Sequence, residues 1–448
     1  MRQQYEPSAD RIIALYQQLE DDILSAVIRR ILKMGYVSEA SKHQLEVLQA
    51  AGLLYDDIVQ LIADRTDACT AQVKALFEDA GVQTVAIDNS LHEAAGALPI
   101  DIRQDSSTRQ VLEAGYKKTL GTMRNLVSTT ATQTQTAFIQ TCDWIYMQVS
   151  SGAFSYQEAI MNALRVLADT GATVSYPTGH TDRMDVAVRR CVLTGVSQTA
   201  AAVSLRQAED AGCYLMEITA HSGARPDHAK WQGQLVSLTG KDVGKTIDGL
   251  KVWSLSGIGY GSGEGFKGWN CRHNWPAYYL GLSTPNYTPE ELKKLDEPCI
   301  SYNGKLYTEY EVSQMQRAQE RRVRAWKRRC ITAQEGVNSA TDEATRATAQ
   351  AEFDRSARYL KNNEAKLKDF CRQTGQDRDR FREQVLGFNR STAQKAVHAA
   401  QQDDSPIKET MEKAVASIKN KLTKNQKSGT INLGEVKNYG KKHAKNIR

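Results

Sequence analysis

The residues best suited to chemistry fall in two short segments. His221, Arg225, Asp227, His228 and Trp231 stand within eleven residues of the stretch EITAHSGARPDHAKWQGQLVSL, and Trp269, Cys271, Arg272, His273 and Trp275 within seven of GFKGWNCRHNWPAYYLG. Imidazole nitrogen and thiolate sulfur suit Zn²⁺, and two ligands from each segment, His221 with His228 and Cys271 with His273, could close a tetrahedral structural site. The spacing HxxxxxxH with CxH is not a familiar zinc pattern. The same residues therefore also read as a hydrogen-bonded core around Trp231, Trp269 and Trp275. Beyond that structural zinc, the sequence calls for no cofactor.

A catalytic reading has less behind it. His273-Asn274 and the earlier histidines faintly resemble a metal nuclease of the His-Asn-His type, and Cys271 with His228 could be drawn as a thiol nucleophile and its base. Neither has its usual local context, so no catalytic residue is assigned; a metal-dependent nuclease or other effector built on the His/Cys core is the rival function. Two phosphate-loop lookalikes fail. Gly244-Lys245-Thr246 ends like a P-loop, but Thr239 stands where the first glycine belongs. Gly263, Gly265 and Gly268 have GxGxxG spacing but lead into WNCRHNW, so these glycines serve tight turns. Arg225-Pro226-Asp227-His228 reads as a stapled turn: Pro226 fixes its own φ, Asp227 can cap the turn, and Arg225 can bridge carbonyls or a carboxylate with its planar fork.

The elements that must position these groups are mostly helices. The chain has 448 residues, 41% hydrophobic and 25% charged, which suits two or three domains with a helical bias. No apolar run approaches the length of a spanning helix, and the start MRQQYEPSADR lacks the apolar centre of a signal peptide. The eight cysteines lie far apart without a CxxC pair, so a disulfide framework is not indicated. Ser8 can cap a first helix whose apolar positions run from Ile12 to Leu32, ended by Gly35. A second begins at Ser38 or Ser41 and stops at Gly52, and a third runs from Tyr55 to Ala80 before Gly81. Asp105 to Val149 keeps the helical pattern but is rich in Thr, Ser and Gln; such a face could mate with a neighbouring subunit, and the plainer reading is a solvated helix with one apolar stripe.

Ser155 and Glu158 have capping-box spacing before a helix that ends near Gly171. A turn or β-like segment follows, and then Asp182 can cap a long helix closed by Gly212. From Gly212 to about Leu282, Gly and aromatic residues replace the helical period, and short strands are expected. Thr288 with Glu291 repeats the capping box, Asn303-Gly304 marks a hairpin, and a charged helical region extends from Tyr310 to Cys371 as an extended helix or helical hairpin lying on another surface. The expected fold is mainly α with a small α+β core. It divides into a helical region over 1–150, a core domain over 151–287, charged helices over 288–400 and a basic tail over 401–448.

Net charge is +6, but the balance is uneven. From Ser405 to Arg448 there are eleven Lys and Arg against three Glu, a balance of +8 that leaves −2 for the rest. Lys441 and Lys442 in that tail, and the run Arg321, Arg322, Arg324, Lys327, Arg328 and Arg329, could contact nucleic-acid phosphates; the alternative is a solvated charged face.

The order of these elements resembles the phage minor capsid protein 2 family, which is related to the Mu F-like head-morphogenesis proteins of tailed phages and prophages. The resemblance rests on DVAVRRCVLTGVSQTA from Asp185, the EITAHSGARPDHAKWQGQLVSL segment and the closing GWNCRHNWPAYYLG, and covers roughly Ser155 to Tyr287. Its pattern falls on His221, Ala224, Arg225, Pro226, His228, Trp231, Gly233, Asn270, Cys271, Arg272 and His273. Broader relatives often carry a second Cys where His273 stands. The resemblance implies a structural or morphogenetic head protein of the virion, at the capsid interior or portal vertex and in the host cytoplasm during assembly. It implies portal protein and major capsid protein as partners, with packaged double-stranded DNA a further one and no membrane.

Overall fold

The computed structural model of the protein describes residues 9–36, 39–102 and 104–402. The candidate caps Ser8 and Ser38, and the basic tail from 403 with Lys441 and Lys442, lie outside the described residues. The chain opens with four helices, α1 (Asp10–Met34), α2 (Ala40–Ala94), α3 (Ser106–Ser150) and α4 (Tyr156–Thr170). An antiparallel hairpin, β1 (Thr173–Ser175) with β2 (Thr181–Arg183), then leads into α5 (Met184–Asp210). These five helices share one core, in which Tyr16, Leu19, Ile23, Leu54, Ile58, Phe77, Phe138 and Val192 are buried.

Several helix ends follow their sequence signals. α1 stops at Gly35, whose φ is 67°. The Ser155 capping box is formed, with Ser155 Oγ accepting from Glu158 N and the Glu158 carboxylate accepting from Ser155 N. Other signals are overridden. The two helices expected on either side of Gly52 are one 55-residue helix, α2, which runs through both Gly52 and Gly81. An interior glycine costs about 1 kcal/mol. The buried stripe Val47, Ala51, Leu54, Ile58, Val73 and Phe77 continues across the break and packs against α1, α3 and α5, which outweighs that cost.

Asp182 does not cap α5 either. Arg183 holds the cap position, and Asp182 lies in β2, paired with Arg190. α3 has the expected solvated face, with Thr122, Ser128, Thr132 and Thr136 exposed, but its buried stripe is not purely apolar. Thr119, Thr130, Thr134 and Thr141 are buried, and α3 packs on α2 and α5. The two helices α3 and α5 approach closely through a reciprocal device: a Cβ at Gly115 would overlap Thr199, and a Cβ at Gly195 would overlap Thr119.

The next part holds the site. After Gly212 come β3 (Leu215–Glu217), the single turn α6 (Pro226–Ala229), β4 (Leu235–Ser237), β5 (Thr246–Ile247) and β6 (Leu250–Ser254). They form a four-stranded sheet in the order β3-β4-β6-β5, with β4 and β6 parallel and the other pairs antiparallel. Side chains alternate across the strands. Leu215, Leu235 and Val252 join a small cluster with Tyr278, while Met216 and Val236 face the other way, into a core made by Trp231, Phe266 and Trp275.

Beyond it lie α7 (Pro289–Leu295), with its Thr288–Glu291 capping box formed, and the hairpin β7 (Ile300–Tyr302) and β8 (Lys305–Tyr307). Asn303 and Gly304 turn that hairpin with φ of 48° and 76°. The charged region is a helical hairpin of α8 (Glu309–Ser339) and α9 (Glu343–Thr374), followed by α10 (Arg390–Gln402). It has its own core around Val323, Phe353, Leu360, Leu367 and Phe370, and α8 also rests on α1 and α4.

Four of the six basic side chains in the run on α8 meet partners within the protein. Arg328 is 4% exposed and faces Glu20 of α1 and Asp185 of α5, which are 1% and 2% exposed. Arg324 pairs with Asp185 at 2.9 Å, Arg329 holds Asp169 through two bonds of 2.8 and 2.6 Å, and Lys327 Nζ donates to the Glu383 carbonyl at 2.9 Å. Arg183 joins the group through Glu20. Arg324, Lys327, Arg328 and Arg329 thus fasten α8 to the rest of the protein; Arg328 is buried, and the other three stay partly exposed. Arg321 and Arg322 are exposed. Burial would raise the Asp185 carboxyl, but Arg324, Arg328 and Arg183 together hold it below the usual carboxylate range.

Candidate functional site

The two chemically dense segments meet on one side of the sheet. The first leaves β3 and enters α6, where Pro226 occupies the first helical turn and suits the φ required there. Arg225, not Asp227, takes the cap position; Asp227 is exposed in the first turn and lies 3.5 Å from Arg225 Nε. The second segment returns alongside β3. Glu217 N donates to the Pro276 carbonyl, Thr219 N to the Asn274 carbonyl, and Asn274 N to Thr219 Oγ1 at 2.8 Å. That pairing brings His273 beneath the α6 turn.

The glycines between the segments make the close approach possible. Gly265 packs on the backbone of Gly259, and Gly268 on the carbonyl of Gly263, leaving no room for a Cβ at either. Between them Lys267 has φ 59°. Gly233 has φ 66° and lies against Leu292 of α7. The GxGxxG spacing is therefore one of turns, as expected, and Gly244-Lys245-Thr246 is the turn into β5.

His228 is 2% exposed, His273 1% and Cys271 8%. One ligand-capable atom from each lies within 4.8 Å of the others. Cys271 Sγ stands 3.6 Å from His273 Nδ1, and His273 Nε2 stands 3.3 Å from Gln232 Oε1. His228 Nε2 faces the Glu264 carbonyl at 2.8 Å and Arg225 Nη2 at 2.6 Å; Arg225 also donates to that carbonyl. Trp231 flanks both imidazoles, with ring centroids 4.4 Å from His228 and 4.8 Å from His273.

His221 stands beside this group, its ring centroid 4.5 Å from that of His273. Its Nδ1 is 2.8 Å from the Ser222 carbonyl, which can only accept, so the neutral ring carries its lone pair on Nε2. That Nε2 is a buried atom with no hydrogen-bond partner. Gln232 Nε2, on the same side, is another.

Burial holds His228 below its ordinary pKa. Burial and then the neighbouring His221 and His228 rings hold His273 far below its own. Both are neutral imidazoles, the form that ligates metals. Burial raises the Cys271 thiol, while Lys267 favours the thiolate. Lys267 itself is buried and pushed down to about 8, with Cys271 and Asp88 opposing the shift. A shielded thiol with a raised pKa is the opposite of an activated nucleophile, so the drawing of Cys271 as nucleophile with His228 as base finds no support in this geometry.

Other expected members of the constellation do not converge. Trp269 is 51% exposed, 5.8 Å from the Arg190 guanidinium, rather than inside the aromatic core. Asn270, with φ 57°, and Arg272 point outward. Three contributors carried no sequence signal. Gln232, whose Oε1 also accepts from His221 N at 3.2 Å, sits next to a tryptophan that dominates its surroundings. Glu264 acts through its backbone carbonyl, which no side-chain pattern reveals. Lys267 is hidden among glycines.

Comparison with known proteins gives two matches and one blank. A family model described as Phage minor capsid protein 2 matches residues 2–372. A protein named "Structural protein" from Lactococcus phage LL-H is 23% identical over 333 residues, covering 72% of this chain and 86% of that one. No solved structure matches.

Proposed function

The chain belongs to the phage minor capsid protein 2 family, and on that premise we propose that it works in the virion by docking head subunits, portal or major capsid protein, along the outer side of α2. The observation that supports this reading is a second apolar stripe on that helix. Leu45, Leu48 and Val59 are 58%, 61% and 43% exposed and share one side of α2 by their spacing. The adjoining side buries Val47, Ala51, Leu54 and Ile58. A solvent-facing helix side needs no leucines; exposed apolar side chains aligned beside a satisfied core face suit an interaction surface. Among the described residues no helix is long and apolar enough to cross a membrane, so this stripe is not part of a spanning segment.

The test is co-expression with the portal and major capsid proteins of the same phage, followed by purification of assembled heads. Leu45→Lys with Leu48→Lys should leave the helical circular dichroism and melting temperature unchanged, since both side chains already face water, and should lower incorporation into heads by tenfold or more. Unchanged incorporation of the folded double variant would overturn the proposal.

A further inference from the structure

We propose that His228, Cys271, His273 and His221 bind one structural Zn²⁺ that ties the α6 turn to the returning segment. The inference is independent of docking on α2. Three of the four side chains already present ligand atoms within 4.8 Å of one another in a buried setting. Zn–S and Zn–N bonds of ordinary length, at the tetrahedral angle, place sulfur and nitrogen about 3.6 Å apart. Cys271 Sγ and His273 Nδ1 stand at 3.6 Å.

The fourth position is marked by an unsatisfied atom. A buried acceptor without a partner costs on the order of 1–3 kcal/mol, and His221 Nε2 is one, on a ring 4.5 Å from His273. Its other nitrogen donates to the Ser222 carbonyl, the arrangement by which ligating histidines are oriented and their free nitrogen made more basic. His273 has the same kind of support from Gln232, and His228 from the Glu264 carbonyl. A hydrogen-bonded core with no ion explains the Cys271–His273 contact as S–H···N, but it leaves His221 Nε2 without a partner. Zinc would engage the three converged groups and give His221 Nε2, which lies outside that 4.8 Å set, a partner once its ring turns in from beside His273. On binding, the Cys271 thiol gives up its proton to solvent and the thiolate donates its electron pair to the metal; Lys267 nearby favours that thiolate. Three imidazoles and one thiolate from protein leave no open position, so the ion is structural.

The full chain, purified without chelator or a metal-binding tag, should contain about one Zn²⁺ per molecule by elemental analysis. Stripping it with a chelator should lower the melting temperature, and Co²⁺ added to the stripped protein should give a tetrahedral cobalt spectrum with a thiolate-to-cobalt charge-transfer band. Cys271→Ser should abolish that band. His221→Ala, at the half-exposed ligand, should weaken Co²⁺ binding at least tenfold, and Cys213→Ser, a buried cysteine outside the cluster, should change neither. If Cys271→Ser does not fold, the wild-type cobalt spectrum and the His221→Ala titration still decide the matter. Zinc-free protein whose melting is indifferent to chelator, or a cobalt spectrum unaltered by His221→Ala and Cys271→Ser, would overturn the inference.

Discussion

At the scale of single residues, the protein's stability is governed by a few buried charges that sequence reading could not locate. Asp21 is 6% exposed on α1, accepts from Gly387 N at 2.6 Å and adjoins Glu20. Burial raises its carboxyl to about 7, with Glu20 adding to the rise and Gly387 and Arg328 opposing it. A carboxyl whose folded pKa exceeds its unfolded one binds extra protons in the folded state. Its stabilising contribution is complete below about pH 4 and is lost as pH rises through 7. Asp21→Asn keeps an oxygen for Gly387 and removes the titration. We expect it to stabilise the protein by on the order of 1–2 kcal/mol at pH 8 and to have little effect at pH 4; denaturant melts at the two pH values check this, and an equal effect at both would refute it. The site itself was half legible at this scale. His221, His228, Cys271 and His273 stood out because few residue types do their chemistry. Gln232 and the Glu264 carbonyl did not, because their roles depend on where the chain returns rather than on what they are.

At the scale of elements, sequence signals held where they acted locally and failed where packing opposed them. The capping boxes at Ser155 and Thr288 and the Asn303-Gly304 turn satisfy their own hydrogen bonds within a few residues, and all three formed. Gly52 and Gly81 were read as stops, but a propensity of about 1 kcal/mol is small against a buried stripe that continues past them. The burial of Thr119 on α3 carries no sequence signal, because Thr–Gly interdigitation between distant helices has no local signature. The glycines of the two helices therefore respond differently to one added methyl. Gly195→Ala drives a Cβ into Thr119 and should destabilise by about 1–3 kcal/mol. Gly52→Ala meets nothing within 4 Å on a helix and should stabilise by about 0.5–1 kcal/mol. Thermal melts of the two variants should move in opposite directions; movement in the same direction would mean that the α3–α5 crossing is not as tight as described.

At the scale of the whole molecule, charge joins parts that each have a core of their own. The hairpin of α8 and α9 packs internally, and α8 is fastened to α1, α4 and α5 through Glu20, Asp169 and Asp185. From sequence, the run Arg324 to Arg329 and its distant acidic partners could not be matched, since the partners are 139 to 308 residues away. Arg328→Ala leaves Glu20 and Asp185 buried with one fewer cation and should cost about 3 kcal/mol. It should also flatten the loss of stability as pH falls through the carboxylate range, because Asp185, with one arginine fewer to hold it ionised, then takes its proton at a higher pH in the folded state. Chemical denaturation at pH 7 and pH 5 checks both, and a variant as stable as the parent would show that the other arginines suffice.

The unbroken course of α2 carries a consequence for how force and position pass through the molecule. At 1.5 Å per residue, Leu45 and His92 stand about 70 Å apart along one rod. His92 Nδ1 meets Tyr279 Oη at 2.6 Å, and Asp88 accepts from Ser204 Oγ at 2.6 Å, so the far end of the rod is pinned beside the histidine core. On the proposed docking, a subunit gripping the leucines would be held at a set distance from that core. The helix is a spacer bar, and shortening it by whole turns should draw together whatever its two ends touch.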